Sequence, residues 1–472
     1  MNLDDQLHSA AADVRSGLSS VSPPPFEPPA PAGSRLTLLA LVALIVGGGW
    51  WLVRPSNDDA PMVDAVTDTI VETVPAPGPE PEPDPDADVP ALLTPPDQRS
   101  VGITGFDDLP TSPMDQPQLD AYAIEPDTGV AIRRFISGTP GSVVQPVFSQ
   151  TQTFNADGSL VLLYQTRGSA ESTAGHIIVD AGTGEMVAAP DLSAASDIED
   201  VSWDSTNPDR LYFTSGPDLV SYDVSTGDTD VAIRTGCEAI GFGEMSGTTT
   251  SGTSLMGLLC RPVSGPTSWA VANTETGSIQ IGGSATVDAA PQPMISGTGY
   301  VVVDDTGVLV LDSDLSVVRT IAIEASSHTV AQDADGSDVL VATVYGGPSS
   351  EGIIVVADLT TGAIRVVVGP DTGAPYPPRG SQLSTAATER PDLIAVNTFS
   401  DQAGPLTNEI MLLELNGDES QLRRLAHHRS VENRDDGWSA TSTVAISPDG
   451  SRMLFSSNWA SDTIATYEIA LP

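Results

Sequence analysis

The 472-residue sequence predicts an all-β domain over residues 116–472, a closed seven-bladed β-propeller, set behind an apolar span and a proline-rich acidic spacer. Three observations carry that expectation. An Asp-Gly turn recurs at Asp157-Gly158, Asp335-Gly336 and Asp449-Gly450, with looser versions at 206–209, 246–253, 297–299 and 390–392. From Gly158 to Gly450 there are 292 residues across six intervals, about 49 per repeat, a period that signals a repeat architecture. A second family of turns, D-x-x-T-G, interleaves with the first at Asp180 to Gly184, Asp223 to Gly227, Asn273 to Gly277 and Asp358 to Gly362, with weaker members at Asp312 and Asn416. Short runs of strand formers such as LVLLYQT, HIIVD and IIVVAD lie between them.

Each unit therefore reads strand, DG turn, strand, loop, strand, D-x-x-T-G turn, strand. Four short antiparallel strands of this length make one propeller blade. Gly supplies the positive φ that such tight turns require. The order of the turns also predicts the closure. Asp127-Thr128-Gly129 leads into VAIRRFI ahead of the first DG turn, and no such turn follows the last one. Strand 130–136 is thus expected to supply the outer strand of the final blade, removing an exposed sheet edge. Six or eight blades are the alternatives, because DAYAIE at 120–125 competes for a place in the closing blade.

Ahead of the propeller the elements are simpler. Residues 1–34 form a tail with one short amphipathic stretch, NLDDQLHSAAADVRSGL. Leu36 to Val53 is 18 residues without a charge, about 27 Å as a helix and enough to cross a hydrocarbon layer. Trp50 and Trp51 stand at one end and Arg35 and Arg54 bracket it, so 35–54 is expected to be an uncleaved single-pass anchor. Residues 55–115 are expected to be a disordered spacer: positions 55–98 hold 11 acidic residues and no basic one, among many prolines. The expected placement is a cytoplasmic N-terminus, a single transmembrane helix in the cell membrane and an extracytoplasmic propeller.

Charge excludes one class of partner. The chain carries 63 acidic against 19 basic residues, all of the latter Arg, for a formal net charge of −44. Sequence-blind binding to nucleic acid needs basic surface, so no nucleic acid is expected. Cys237 and Cys260 fall in one predicted blade, and outside the cytoplasm a disulfide is the natural reading. His427 and His428, in RRLAHHRSVENRDDGW, are the candidate metal ligands, with Asp435 and Asp436 as possible oxygen donors. Successive residues of a strand face opposite ways, so both His bind one ion only from a loop. Asp333, Asp335 and Asp338 suggest calcium, but the DG turn already accounts for them.

The segments FNADGSLVLLYQT, VSWDSTNPDRLYFTSGPDLVSYDVSTG and AISPDGSRMLFSSNW resemble blades of TolB-type propellers, with their WD40-like repeats. They resemble still more the oligogalacturonate-lyase-like group of seven-bladed bacterial propellers, and the likeness covers about 120–472. For the lyases the resemblance implies a metal held by His residues around the central channel, some just ahead of the final SPDG turn. Here that stretch reads Thr441-Ser442-Thr443, so the metal site is not carried over. The expectation is a membrane-anchored, non-catalytic propeller that binds an envelope protein or glycan. The alternative is a divalent-metal-dependent enzyme on polysaccharide, with His427 or His428 as ligand or base.

Overall fold

Seven antiparallel sheets follow one another along the chain, each formed by consecutive strands except the last. The computed structural model describes residues 102–471 apart from 108, 120, 167–174, 244–252, 286–288, 305–306, 346–351, 376, 378–380, 400–403 and 432–442. The N-terminal tail, the apolar span 36–53 and residues 55–101 of the spacer lie outside the described residues. Among the described residues no helix is long and apolar enough to cross a membrane.

Blade 1 runs from inner strand Val144–Pro146 to outer strand Met186–Ala188, blade 2 from Val201–Trp203 to Thr229–Arg234, and blade 3 from Ala239–Gly241 to Ser278–Gly282. Blade 4 runs from Gln292–Pro293 to Val317–Ile321, blade 5 from Ala325–Gln332 to Ile364–Val368, and blade 6 from Gln382–Ala386 to Gln421–His427. Blade 7 takes three strands from the C-terminal region, Val444–Ile446, Arg452–Ser457 and Ala465–Ala470, and a fourth, Ala131–Ile136, from the start of the domain. The seam pairs Ile132 with Ile469, Arg133 with Glu468 and Arg134 with Tyr467. DAYAIE does not displace that strand. Its Ala123–Ile124 adds a fifth strand outside it.

The core is a ring of seams. Apolar side chains of each blade pack on those of the next, as in Leu162, Ile178, Val201, Trp203 and Phe213 between blades 1 and 2. Blades 6 and 7 meet through Leu393, Ile410, Val444, Ile446 and Tyr467. Phe135, Phe154, Val161, Ala445 and Leu454 join blade 7 back to blade 1. Every blade thus buries both faces, as a closed ring of sheets requires.

The turns explain why the repeats fold as they do. In the D-x-x-T-G turn of blade 1, Asp180 Oδ1 accepts from the backbone N–H of Gly182 and Thr183 and from the Thr183 hydroxyl, and Gly184 N–H donates to Asp180 O. Asp223 caps the turn of blade 2 the same way. The carboxylate satisfies its own turn, so the information is local. Arginines then tie several of the blades to the next. Arg452 of blade 7 donates to Gly158 O and Ala181 O of blade 1, and Arg319 of blade 4 to Thr360 O and Thr361 O of blade 5. A guanidinium fork suits paired carbonyls, which fits a chain whose basic residues are all Arg.

Two segments depart from the repeat. Between Val144–Pro146 and the DG turn of blade 1, residues 147–152 leave their sheet and cross the centre of the ring. Ser149 Oγ donates to Gln382 of blade 6 and accepts from Val444 N–H of blade 7. Gln150 Nε2 reaches His328 O of blade 5. The second is a strap, 103–118. Ile103 exchanges two backbone hydrogen bonds of 2.9 Å with Arg424 on the outer strand of blade 6. Gln116 then meets Tyr467 and Gln118 O accepts from Arg134 N–H on blade 7. Residues 103–115 fall within the expected spacer 55–115; in the structure Ile103, Gly105 O, Asp107 O, Ser112 and Met114 O are hydrogen-bonded to blades 6 and 7 or to the loops beside them.

Candidate functional site

The strap, the closing strands and blade 6 meet at one place on the rim. The turn between Ala123–Ile124 and Ala131–Ile136 reads Glu125-Pro126-Asp127-Thr128-Gly129, the first member of the D-x-x-T-G family. Its backbone matches the others: Gly129 N–H donates to Glu125 O at 2.8 Å, as Gly184 N–H does to Asp180 O. Its side chains do not. Glu125 occupies the capping slot, one methylene too long for the local bonds that Asp180 makes, and its carboxylate turns instead towards blade 6. Thr128 Oγ donates to Leu425 O of that blade.

Blade 6 answers with His427 and Arg429. His427 ends the outer strand and is 3 % exposed, and Glu125 is fully buried. Arg429 Nη2 donates to Glu125 Oε1 at 2.8 Å, its Nη1 donates to Ser112 O, and its guanidinium lies over the Trp459 ring. His427 Nδ1 sits 3.8 Å from Glu125 Oε1. Neither His427 Nδ1 nor Glu125 Oε2 has a hydrogen-bond partner, although both are buried. Asp127 completes the group, its two oxygens accepting from the Ser112 N–H at 2.8 Å and hydroxyl at 2.5 Å. One donor atom each from Glu125, Asp127 and His427 lie within 4.8 Å of one another.

The structure does not bring His427 and His428 to a common point. His428 is fully buried, its Nε2 donating to Thr398 O and its Nδ1 accepting from Ser430 N–H, both at 3.0 Å. Burial drives its pKa down to about 3 against the opposing Thr398 bond, with His427 adding to the shift. It is a neutral packing histidine stacked on Phe399. The two histidines, expected as paired ligands, thus have different surroundings: His427, the last residue of its strand, lies beside Glu125, while His428, just past the strand, is held by Thr398 and Ser430. Asp435 and Asp436 lie outside the described residues. Asp333 and Asp338 are engaged separately, Asp333 with Arg365 and Gly417 N–H, and Asp338 with Ser296.

His328, beside the crossing segment, has Nε2 3.2 Å from Gln292 Nε2 and an unpartnered Nδ1. Burial lowers its pKa to about 4. His176 donates Nε2–H to Ile198 O. In blade 3, Cys237 and Cys260 are joined as a disulfide with a Cα–Cα distance of 5.6 Å.

Glu125 and Arg429 were not singled out in the sequence, and Asp127 only as a residue of the turn ahead of the closing strand. The signal was there: among turns with Asp or Asn in the first position, one carries Glu. Only the Arg-rich edge of blade 6, about 300 residues away, gives that exchange a meaning.

No family model and no curated protein matches the sequence. Among solved structures the chain is similar in fold to an oligogalacturonate lyase in complex with manganese, at 16 % identity and a TM-score of 0.53, covering 75 % of this chain and 96 % of that one. Matches at lower TM-scores include the WD40 domain of Pan2 from Neurospora crassa, at 0.43 and 12 % identity over 72 % of this chain and 94 % of that one. Another is TolB from Acinetobacter baumannii, at 0.36 and 13 % identity over 57 % of this chain and 64 % of that one. The likeness to the lyase is one of fold, and this chain's own seven sheets make the propeller.

Proposed function

We propose that this propeller is a membrane-anchored, extracytoplasmic binding or scaffold module, non-catalytic, whose partner is an envelope protein or glycan. The observation that carries the reading is the segment 147–152. The lyase-like resemblance puts chemistry in the central channel, and here the chain's own Ser149 and Gln150 bridge that space to blades 5, 6 and 7. The surfaces left for recognition are the two faces and the rim of an acidic disc. The charge-free span 36–53 supports the anchor, and the Cys237–Cys260 bond supports an oxidising compartment.

The competing enzyme reading, a divalent-metal-dependent activity on polysaccharide through His427 or His428, draws support from the cluster around His427 and loses it at His428, whose two nitrogens are engaged. The test uses the full-length chain in its own membrane. The propeller is expected to stay with membranes through an alkaline wash, to be cut by protease added outside spheroplasts, and to crosslink to one envelope component in stoichiometric yield. Protection from external protease, or turnover of an acidic polysaccharide by the Mn2+-loaded protein, overturns the proposal.

A further inference from the structure

We infer that Glu125, Asp127 and His427 form a binding site for a single divalent transition-metal ion that locks the ring at its closure. The placement is peculiar to this chain's topology: the two carboxylates come from the turn ahead of the closing strand, the imidazole from the outer strand of blade 6. The site stands on the rim and is separate from the channel.

Two independent observations point to a ligand. The first is the orphaned pair, His427 Nδ1 and Glu125 Oε2, both without a hydrogen-bond partner and on side chains that are 3 % and 0 % exposed. Buried polar atoms are almost always paired, and two orphans on residues whose donor atoms, with one of Asp127, come within 4.8 Å of one another mark a gap that something fills. The second is the broken turn. Elsewhere in the family Asp180, Asp223 and Asp358 spend their carboxylates on their own backbone. Here a longer acid carries its charge away from the turn and into the blade 6 seam.

Charge agrees. The groups facing the gap are Glu125, Asp127, His427 and Arg429, with the Ser112 hydroxyl beyond Asp127. Arg429 neutralises one carboxylate through Oε1 and leaves Oε2 free. The second carboxylate, Asp127, is half-buried and has no cation of its own among the described side chains at the site. One imidazole nitrogen with two carboxylate oxygens is a mixed donor set, suited to Zn2+ or Mn2+, whereas Ca2+ takes oxygen ligands throughout. Because the donors span the strap-side turn and blade 6, the bound ion would tie the first strand of the domain to its neighbour.

The experiment takes the purified full-length chain, strips it with chelator, and equilibrates it with Zn2+, Mn2+ or Ca2+ alone. The expected result is one equivalent of Zn2+ kept through desalting, Mn2+ held at least about tenfold more weakly, Ca2+ not held, and a melting temperature raised by about 3 °C or more with Zn2+. In Asp127→Asn and Glu125→Gln the Zn2+ affinity falls about 100-fold. The melting temperature in chelator checks that each variant is folded. An anomalous-scattering peak at the zinc edge, in crystals of the unaltered protein, locates the ion without any variant. A chain that retains no ion overturns the inference. So does a folded Asp127→Asn that binds Zn2+ as before, Ca2+ uptake equal to Zn2+, or a peak elsewhere.

Discussion

His328 shows how a single buried group sets a measurable property of this protein. Burial holds its imidazole at a pKa of about 4, below the ordinary 6.5. Below pH 6.5 the unfolded chain takes up a proton that the folded chain refuses. Stability is therefore full above about pH 7 and falls as pH drops from 6.5 towards 4, at up to about 1.4 kcal/mol per pH unit for this residue. Denaturant melts at pH 7.5, 6 and 5 are expected to show that decline, and His328→Gln to reduce its slope by about 1.4 kcal/mol per pH unit at most, the buried His428 keeping its own share. A level stability from pH 7.5 to 5 would rule the buried neutral imidazole out. At this scale the sequence is legible where a side chain acts on its own backbone, as Asp180 and Asp223 do. It is opaque where the partner is remote: nothing near Glu125 announces Arg429, and nothing near His428 announces the Thr398 carbonyl that fixes its ring.

Elements repeat that contrast. The blade strands follow from alternating apolar runs between punctuated turns, and the closing strand 131–136 follows from the order of those turns. The strap 103–118 and the crossing segment 147–152 do not, because they carry no period and are held by polar contacts to distant blades. The strap rests on Arg424, whose guanidinium takes both oxygens of Glu409 at 2.6 Å and also donates to Gly105 O and Asp107 O. Arg424 and Glu409 are 1 % and 2 % exposed, so removing one leaves the other charged and buried. Arg424→Ala is expected to cost roughly 3–5 kcal/mol, while the apolar pair Arg424→Met with Glu409→Leu costs far less. Chemical denaturation of the two variants gives the comparison; equal losses would show that the ion pair is not what holds this edge.

For the whole molecule, the seven-sheet ring was readable because its period is long and its turns self-capping, whereas the ligand that the disc serves is not written in any local pattern. Packing between blades is the term that repeats all the way round, so a local brace on one blade acts on a cooperative whole. The Cys237–Cys260 bond closes a loop with a sequence separation of 23 within blade 3. Removing it is expected to lower the stability of the entire propeller by about 3 kcal/mol. Guanidinium unfolding of the Cys237→Ser, Cys260→Ser double variant should show one transition shifted to lower denaturant. Two separate transitions would mean that blade 3 melts alone.

The closing seam also imposes a timetable on biosynthesis. Arg133 pairs with Glu468, a partner 335 residues further along the chain. At about 5–20 residues per second, the strand that emerges early waits on the order of 20–70 s for the strand it must join. In that interval blades 1 to 6 have all their own strands and can assemble in order, while Ala131–Ile136 has only the two-residue strand Ala123–Ile124 beside it and its inner edge open. A nascent chain of this kind needs either a chaperone over that early strand or a fast arrival of its last few dozen residues, and its slowest refolding step is expected to be the joining of the two ends rather than the making of any blade.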